Sequence, residues 1–276
     1  MSGGLLSKND LRARSELDEQ GYTLIGGIDS DEDAERTLQD FGLLVPQYDG
    51  AVRNQVKAVP GYENYRYSKS VNTILVHSEA PGWNPPPRYL ALHCRTQATC
   101  GGGHTDLVEA WPFVASLPAD LRDQMRSQVV HWPGHNTAGV AGKGACAPMI
   151  QATGSGREIV RFSYNLLTRG HYDPPIDGAS DLDALPLGQV GVALAERAAG
   201  FFAERRTRIL IPERSILIWD NQRMFHARSA YRDSRRHLTR YWLAEDSPAE
   251  ERTAERASAD PTTTDSATRD RPGSGS

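Results

Sequence analysis

Residues 216–242 restrict the possible folds of this chain more than any other stretch. They begin with Ile216–Trp219, an apolar and largely β-branched run that is typical of a buried strand. His226 follows on a second extended segment, and Arg236, ten residues further on, starts an Arg-x-x-x-Arg pair with Arg240. An imidazole and two guanidiniums at these spacings indicate a metal site that still needs a carboxylate ligand.

The upstream half of the chain offers that carboxylate in the tripeptide His77-Ser78-Glu79. Residues i and i+2 of an extended segment project from the same face, so His77 and Glu79 can chelate one ion. With His226 they form a two-histidine, one-carboxylate facial triad, which is the iron site of non-haem Fe(II) oxygenases and leaves three coordination positions open. A lone histidine is more often a core or surface residue than a ligand, so the prediction depends on all three residues.

Further motifs accompany the triad. A Pro-rich turn at 81–87 leads into a strand-like segment at 89–94, and Gly102-Gly103-His104-Thr105 comes next. In order and spacing, the chain resembles the taurine dioxygenase and clavaminate synthase-like Fe(II)/2-oxoglutarate oxygenases. That family shows a His-x-Asp/Glu pair, then a Gly-Gly-x-Thr-like segment, then a distal histidine followed by Arg-x-x-x-Arg. The resemblance covers residues 20–245 or so.

The resemblance implies the cofactors and their binding residues. The triad is expected to bind Fe(II), with 2-oxoglutarate as cosubstrate and O2 taking the open positions. Arg236 is expected to bind the far carboxylate of 2-oxoglutarate, assisted by the Thr105 hydroxyl, because a planar guanidinium matches a carboxylate with two parallel hydrogen bonds. Arg240 is expected to bind either an acidic group of the substrate or the keto acid.

The resemblance also implies an activity. We expect a 2-oxoglutarate-dependent dioxygenase that releases succinate and hydroxylates, desaturates or cyclises an amino acid or amino-acid-derived small molecule in specialised metabolism, either free or tethered to a carrier protein. Glu79 favours hydroxylation over halogenation, because halogenases of this family lack that carboxylate. The alternatives are a taurine-like sulfonate dioxygenase and a non-catalytic jelly-roll protein that binds a small acid. A zinc hydrolase would leave the arginine pair unexplained.

A second His-x-Asp pair, His104-Thr105-Asp106, competes with the first as the source of metal ligands. We favour His77 because 149 residues then separate it from His226 (226 minus 77), as is usual in the family that the chain resembles. The Gly-Gly-x-Thr position of the family also falls on His104-Thr105. Most cationic residues of the chain are arginine, so an Arg-x-x-x-Arg pair carries weight only together with the histidine spacing.

Hydrophobic patterning predicts a mainly β fold with flanking helices, and the resemblance specifies a double-stranded β-helix (jelly roll, cupin-like). Strands are predicted near 73–76, 89–94, 159–164, 208–211 and 215–219. Helices are predicted at 9–20, from Ser30 onward, at 112–130 and at 187–205. Residues 44–70 read as a loop with a short strand at 52–59, and the Gly-rich stretch 133–158 as a long loop, either a substrate lid or a variable insertion.

Composition bounds the remaining properties. The 276 residues carry a net charge of −4 and form no basic stretch, which predicts no nucleic-acid partner and leaves a small molecule as the expected one. The absence of a long apolar run or a signal-like N-terminus predicts no membrane association, and three cysteines without a Cys-x-x-Cys pair fit a reduced cytoplasm. We expect one oxygenase domain over 1–246 and a disordered tail over 247–276. The oligomeric state is left open.

Overall fold

A computed structural model of the protein describes residues 8–134, 136–137, 140–141, 144–154, 156–178 and 185–245. In chain order its elements are α1 (Lys8–Gln20), β1 (Tyr22–Gly26), α2 (Asp31–Leu38), β2 (Leu43–Val45), β3 (Asn54–Lys57), β4 (Ile74–His77), β5 (Tyr89–Thr96), β6 (Thr105–Glu109), α3 (Ala110–Ser116), α4 (Ala119–Ser127), β7 (Val129–Trp132), β8 (Asn136–Thr137), β9 (Val140–Ala141), β10 (Ala145–Pro148), β11 (Ile150–Ala152), β12 (Glu158–Val160), α5 (Tyr164–Arg169), α6 (Gly188–Arg205), β13 (Thr207–Ile209), β14 (Ser215–Asp220), β15 (Met224–Arg228) and β16 (His237–Ala244).

Two antiparallel sheets form the centre of the fold. The larger sheet has the order β1-β14-β5-β16-β2, with β3 also paired to β16, and the smaller has the order β13-β6-β15-β4. One buried cluster joins them, because Leu90, Leu217 and Trp242 of the larger sheet pack with Leu107 and Met224 of the smaller. This arrangement confirms the predicted mainly β, double-stranded β-helix fold.

Period-two alternation along the strands separates three hydrophobic layers. In β14, Leu217 and Trp219 belong to the cluster between the sheets, whereas Ile216 and Ile218 pack on the other face with residues of α1 and α2. The smaller sheet divides in the same way, since Val108 joins a third cluster that contains residues of α3 to α6. Helices therefore cover the outer faces of both sheets. A site can lie between the sheets, in the space that the buried cluster there does not fill.

Strand register brings the predicted site residues to that inner face. Directly opposed residues of an antiparallel pair project to the same side. Thr105 opposes Arg228 in the β6–β15 pair, and His226 opposes His77 in the β15–β4 pair. The inner face of the smaller sheet therefore carries both histidines of the predicted triad and the predicted cosubstrate threonine.

The helix predicted for 112–130 is instead two helices, α3 and α4, followed by strand β7. The break lies at Leu117, whose backbone is extended (φ −79°, ψ 151°), and Pro118 caps the second helix. A residue that precedes proline is disfavoured in the helical region because the proline ring clashes with it. The hydrophobic spacing across 117–125 is thus real, but it belongs to two elements.

The stretch 133–158 is not the long loop that its glycines predicted. Its described residues include β10, which pairs with β7, and β11, which pairs with β12. The described positions 136–137 and 140–141 form a further short pair. A role as a lid stays a prediction. The predicted tail 247–276 lies outside the described residues, and the domain boundary at 246 is likewise a prediction. Across the part of the chain that is described, no helix has the length and apolar character needed to cross a bilayer.

Candidate active site

Three side chains converge between the sheets, on the inner face of the β4–β15 strand pair. Candidate ligand atoms of His77, Glu79 and His226 all lie within 4.8 Å of one another, and no other group of three His, Cys, Asp or Glu residues among the described positions does so. Nε2 of His77 lies 3.7 Å from Oε2 of Glu79, and Nε2 of His226 lies 3.8 Å from the same oxygen. The two ring centroids are 4.0 Å apart.

The orientation of the two imidazoles fits a metal ligand set. Nδ1 of His77 lies 2.8 Å from the carbonyl oxygen of Leu75, a contact that requires a proton on Nδ1 and leaves the Nε2 lone pair facing Glu79. Burial and the neighbouring His77 ring lower the pKa of His226, which favours the neutral form that coordinates metal. Two nitrogens and one carboxylate oxygen are the donor set that suits Fe(II) with positions left open.

Glu79 is held at both its backbone and its side chain. Asn221 accepts a hydrogen bond from the Glu79 amide at 2.7 Å and donates to the Glu79 carbonyl at 3.0 Å. Nη1 of Arg240 lies 2.7 Å from Oε1 of Glu79. Burial raises the pKa of Glu79, but Arg240 and the imidazoles of His77 and His226 outweigh burial and hold that pKa well below its ordinary value.

An inner pocket, defined here by Thr105, His226, Arg228, Arg236 and Glu79, opens beside the triad. Arg236 is 2% exposed, and its Nη2 donates to the carbonyl of Gly103 at 3.1 Å. Its Nη1 is buried with no hydrogen-bond partner in the described structure. A buried guanidinium nitrogen without an acceptor costs free energy, so a ligand oxygen in the pocket would have a ready donor.

The glycine run before Thr105 has a steric reason. Gly103 has φ +81°, and a Cβ at this position would lie 2.8 Å from Nε and 3.0 Å from Cδ of Arg236. The backbone therefore approaches the arginine more closely than a residue with a side chain could. The guanidinium also lies over the ring of Tyr231, 4.9 Å from its centroid. Arg236 thus contacts both a glycine backbone and an aromatic face.

Arg228 was not predicted as a site residue, although it lies two residues after His226. Its Nη1 donates to the carbonyl of Ser68, and its Nη2 donates to three carbonyls that include those of Ser70 and Asn72. Burial and the nearby Arg236 lower the pKa of Arg228 to about 9. Arg228 therefore anchors the 67–72 segment beside the inner pocket by hydrogen bonds, and no local sequence motif predicts this role.

An outer cleft also borders the triad, and it is open to solvent. Its wall combines apolar surface with many polar side chains: besides His77, Glu79 and Arg240, it is lined by Tyr48, Arg66, Tyr67, Ser163, Asn165, Tyr172 and Asp173, among others. Both Arg66 and Asp173 contribute charged groups, of opposite sign. Apart from His77, Glu79 and Arg240, sequence reasoning named none of these side chains.

The competing His-x-Asp pair does not enter the metal cluster. Asp106 alternates with Thr105 along β6 and therefore points away from the inner face. Its carboxylate lies 3.4 Å from both Arg206 and Arg208. The amide of His104 donates to the hydroxyl of Ser229 at 2.9 Å, across the strand pair. The structure thus brings together His77, Glu79 and His226 with Thr105, Arg236 and Arg240, and leaves out His104 and Asp106.

Comparison with known proteins gives an independent view of the chain. The family described as "Taurine catabolism dioxygenase TauD, TfdA family" matches residues 3–242. No match was found among curated proteins.

Solved structures share the fold. Asparagine oxygenase in complex with Fe(II), 2S,3S-3-hydroxyasparagine and succinate superposes with a TM-score of 0.65 at 13% identity, covering 86% of this chain and 79% of that one. The non-heme iron oxygenase OrfP in complex with Fe and alpha-ketoglutaric acid superposes with a TM-score of 0.59 at 16% identity, covering 89% and 80%. At these identities the structures speak for the fold alone. The family match spans most of the sequence, and the chain therefore belongs to the taurine catabolism dioxygenase TauD, TfdA family.

Proposed function

We propose that this protein uses Fe(II), 2-oxoglutarate and O2 to hydroxylate a free amino acid or a small molecule derived from one. The observation that carries the proposal is the unpaired Nη1 of buried Arg236 in a pocket shared with the three candidate metal ligands. Family membership supports the reaction class. A pocket kept only for packing would not be expected to retain an arginine with an unsatisfied terminal nitrogen.

His77, Glu79 and His226 would hold the iron through two imidazole nitrogens and one carboxylate oxygen. When bound, iron supplies the redox chemistry that couples oxidative decarboxylation of 2-oxoglutarate to oxidation of a C–H bond. The overall reaction consumes one 2-oxoglutarate and one O2 and gives succinate, CO2 and a hydroxylated substrate, with one oxygen atom in succinate and the other in the new hydroxyl. Asn221 fixes the backbone of Glu79 and so keeps its carboxylate facing the two rings.

The inner pocket suits a dianion such as 2-oxoglutarate. The charged residues among its described lining are Arg228, Arg236, Arg240 and Glu79, so cations exceed carboxylates. The Glu79 carboxylate already faces Arg240, which leaves positive charge to be balanced by a ligand. In this proposal the far carboxylate of the keto acid binds Arg236 and the hydroxyl of Thr105, and its other end reaches the metal.

The outer cleft suits a zwitterion. Arg66 and Asp173 place charges of both signs on the wall of the cleft, so in this proposal a substrate carboxylate lies nearer Arg66 and a substrate ammonium group nearer Asp173. A free amino acid carries both charges and would match this lining. The structural relatives named above were crystallised with an amino-acid product or a keto acid, which is consistent with this choice without extending their substrates to this chain.

The proposal can be tested with purified protein loaded anaerobically with Fe(II). Addition of 2-oxoglutarate alone is expected to produce the weak visible charge-transfer band of a keto acid chelated to iron. Exposure to O2 with a panel of free L-amino acids and taurine should then give succinate, together with a product 16 Da heavier by mass spectrometry.

His77→Ala is the matched negative variant and should give neither the band nor succinate. A band that persists in this variant would contradict the metal site. Turnover of taurine but of no amino acid would move the substrate class to sulfonates.

A further inference from the structure

The two carboxylate oxygens of Glu79 have different surroundings. Oε2 faces the rings of His77 and His226, at 3.7 Å and 3.8 Å from their Nε2 atoms. Oε1 instead lies 2.7 Å from Nη1 of Arg240. Glu79 and Arg240 are largely buried, with side chains 7% and 12% exposed, so the ion pair is little screened by water. One oxygen is directed to the metal site, and the other is directed away from it.

Arg240 is itself held by a residue outside the pockets. Nε of Arg240 donates to Oε1 of Gln47 at 2.8 Å. The amide nitrogen of Gln47 donates to the carbonyls of Val52 and Arg240, at 2.7 Å and 2.8 Å, so the amide cannot be flipped without losing both bonds. Gln47 is 3% exposed. The fixed acceptor Oε1 of Gln47 therefore holds the orientation of the Arg240 guanidinium, and the guanidinium in turn holds the position of Oε1 of Glu79.

We propose that Gln47 and Arg240 are positioning residues that restrict Glu79 to binding the metal through one oxygen. This inference rests on the proposed function. A carboxylate can bind a metal through one or both oxygens. If Glu79 used both, the triad would occupy four of six octahedral positions and leave two, whereas a chelating keto acid and O2 together need three. The Gln47–Arg240 pair thus keeps the third position available.

This role differs from the one that the sequence predicted for Arg240. Binding of the keto acid or of a substrate carboxylate through two parallel hydrogen bonds needs two donors aimed into a pocket, but Nε and Nη1 are directed at Gln47 and Glu79, which leaves only Nη2 for a ligand. Arg236 has an unpaired terminal nitrogen instead. The two arginines of the Arg-x-x-x-Arg pair therefore divide the work: the first binds the cosubstrate, and the second orients a metal ligand.

The direct test compares wild type with Arg240→Met, Arg240→Lys and Gln47→Met at equal metal loading. A crystal structure with Mn(II) should show one oxygen of Glu79 on the metal in the wild type and both in Arg240→Met. In solution, nitric oxide added to Fe(II) protein saturated with 2-oxoglutarate reports whether a third position is open. Its electron paramagnetic resonance signal should fall at least fivefold in Arg240→Met and about two- to threefold in Gln47→Met, which leaves the ion pair but frees the guanidinium.

Rescue and control variants separate positioning from a general loss of structure. Arg240→Lys keeps a cation for Glu79 and should recover most of the nitric oxide signal. Arg235→Met is the matched control, because Arg235 is 74% exposed and pairs with Asp233, and this variant should behave as wild type. A wild-type signal and one-oxygen coordination in Arg240→Met, with weakened keto-acid affinity, would overturn the positioning role.

The outcome for His77→Ala distinguishes a failure of the positioning role from a failure of the proposed function. That variant should lose Mn(II) binding. If it binds Mn(II) as tightly as the wild type, the metal site is overturned and the inference falls with it. If it loses Mn(II) while Arg240→Met retains wild-type behaviour in both measurements, the positioning role alone is overturned.

Discussion

Replacement of Arg236 by methionine tests the assignment of the cosubstrate pocket. The side chain is 2% exposed, and its Nη1 is buried without a partner in the described structure, so the proposed ligand carboxylate would be its counter-ion. Loss of one member of a buried, hydrogen-bonded charge pair costs about 2–5 kcal/mol. At 1.4 kcal/mol per factor of ten, the dissociation constant of 2-oxoglutarate should rise roughly 30- to 4000-fold.

The same substitution should cost the ligand-free protein little. Arg236→Met removes the hydrogen bond from Nη2 to the Gly103 carbonyl, worth about 1–3 kcal/mol for a charged donor. It also removes a buried terminal nitrogen without an acceptor, a relief of similar size. The two changes oppose each other, and the contact with the Tyr231 ring, worth about 0.5–2 kcal/mol, is lost as well, so we expect the free energy of unfolding without ligand to fall by no more than about 2 kcal/mol.

Anaerobic titration calorimetry of Mn(II)-loaded protein with 2-oxoglutarate measures the affinity, and urea unfolding of metal-free protein measures the stability. Arg235→Met again serves as the control, since the exposed Arg235 precedes Arg236 in sequence and faces solvent. Unchanged keto-acid affinity in Arg236→Met would refute the assignment and leave Arg240 as the candidate. A large loss of stability with unchanged affinity would show that the buried guanidinium serves the fold alone.

Four further outcomes follow from the site and its surroundings. His77→Ala should lose bound iron and succinate formation, whereas His104→Ala should retain iron by atomic absorption; the reverse result would move the metal site to the second His-x-Asp pair. Gly103→Ala should weaken 2-oxoglutarate binding about tenfold or more by calorimetry, with metal content unchanged. The added Cβ would lie 2.8 Å from Nε of the buried Arg236, and the backbone angle φ +81° at this position disfavours a residue with a side chain. Asn221→Ala should lower metal affinity 10- to 100-fold in a chelator competition, since it removes the bonds that fix a ligand backbone; an unchanged affinity would show that the ligand needs no such support. Burial raises the pKa of Asp31, but hydrogen bonds from a buried imidazole and a hydroxyl and a nearby guanidinium outweigh it, so the net pKa is lowered. Ionised Asp31 therefore stabilises the fold above its unfolded pKa near 3.8, and the difference in urea stability between wild type and Asp31→Asn should shrink as the pH falls below 4. A difference that does not depend on pH would contradict this assignment.

Local periodicity was enough to predict a mainly β chain with flanking helices, whereas the double-stranded β-helix was predicted from the family resemblance. Alternation in 215–219 separates residues that pack under the N-terminal helices from those between the sheets, and the structure divides them in that way. The His77–Glu79 spacing likewise encodes a chelate, because residues two apart share one face of an extended chain. The grouping of these two residues with His226 depended on a family resemblance, since 149 residues separate the histidines in sequence (226 minus 77).

The residues that support the ligands could not be predicted from sequence patterns. Asn221 contacts Glu79 across 142 positions, and Gln47 contacts Arg240 across 193. Asparagine and glutamine are ordinary turn and surface residues, and their type gives no sign of a partner far along the chain. Periodicity also failed at Pro118, where the hydrophobic spacing continues although the backbone constraint of proline ends the helix.

Hydrogen-bond satisfaction, more than residue type, separates the roles of the buried arginines around this site. Both terminal nitrogens of Arg228 donate to carbonyls of one loop, so this residue is committed to the fold even though it lines the inner pocket. Arg240 directs Nη1 to Glu79 and is committed to a metal ligand. Arg236 alone among these three keeps a buried terminal nitrogen without a partner in the described structure. Burial of that nitrogen without an acceptor destabilises the ligand-free protein. Binding of the cosubstrate carboxylate would remove this destabilisation, and the difference in free energy would add to the affinity for the cosubstrate.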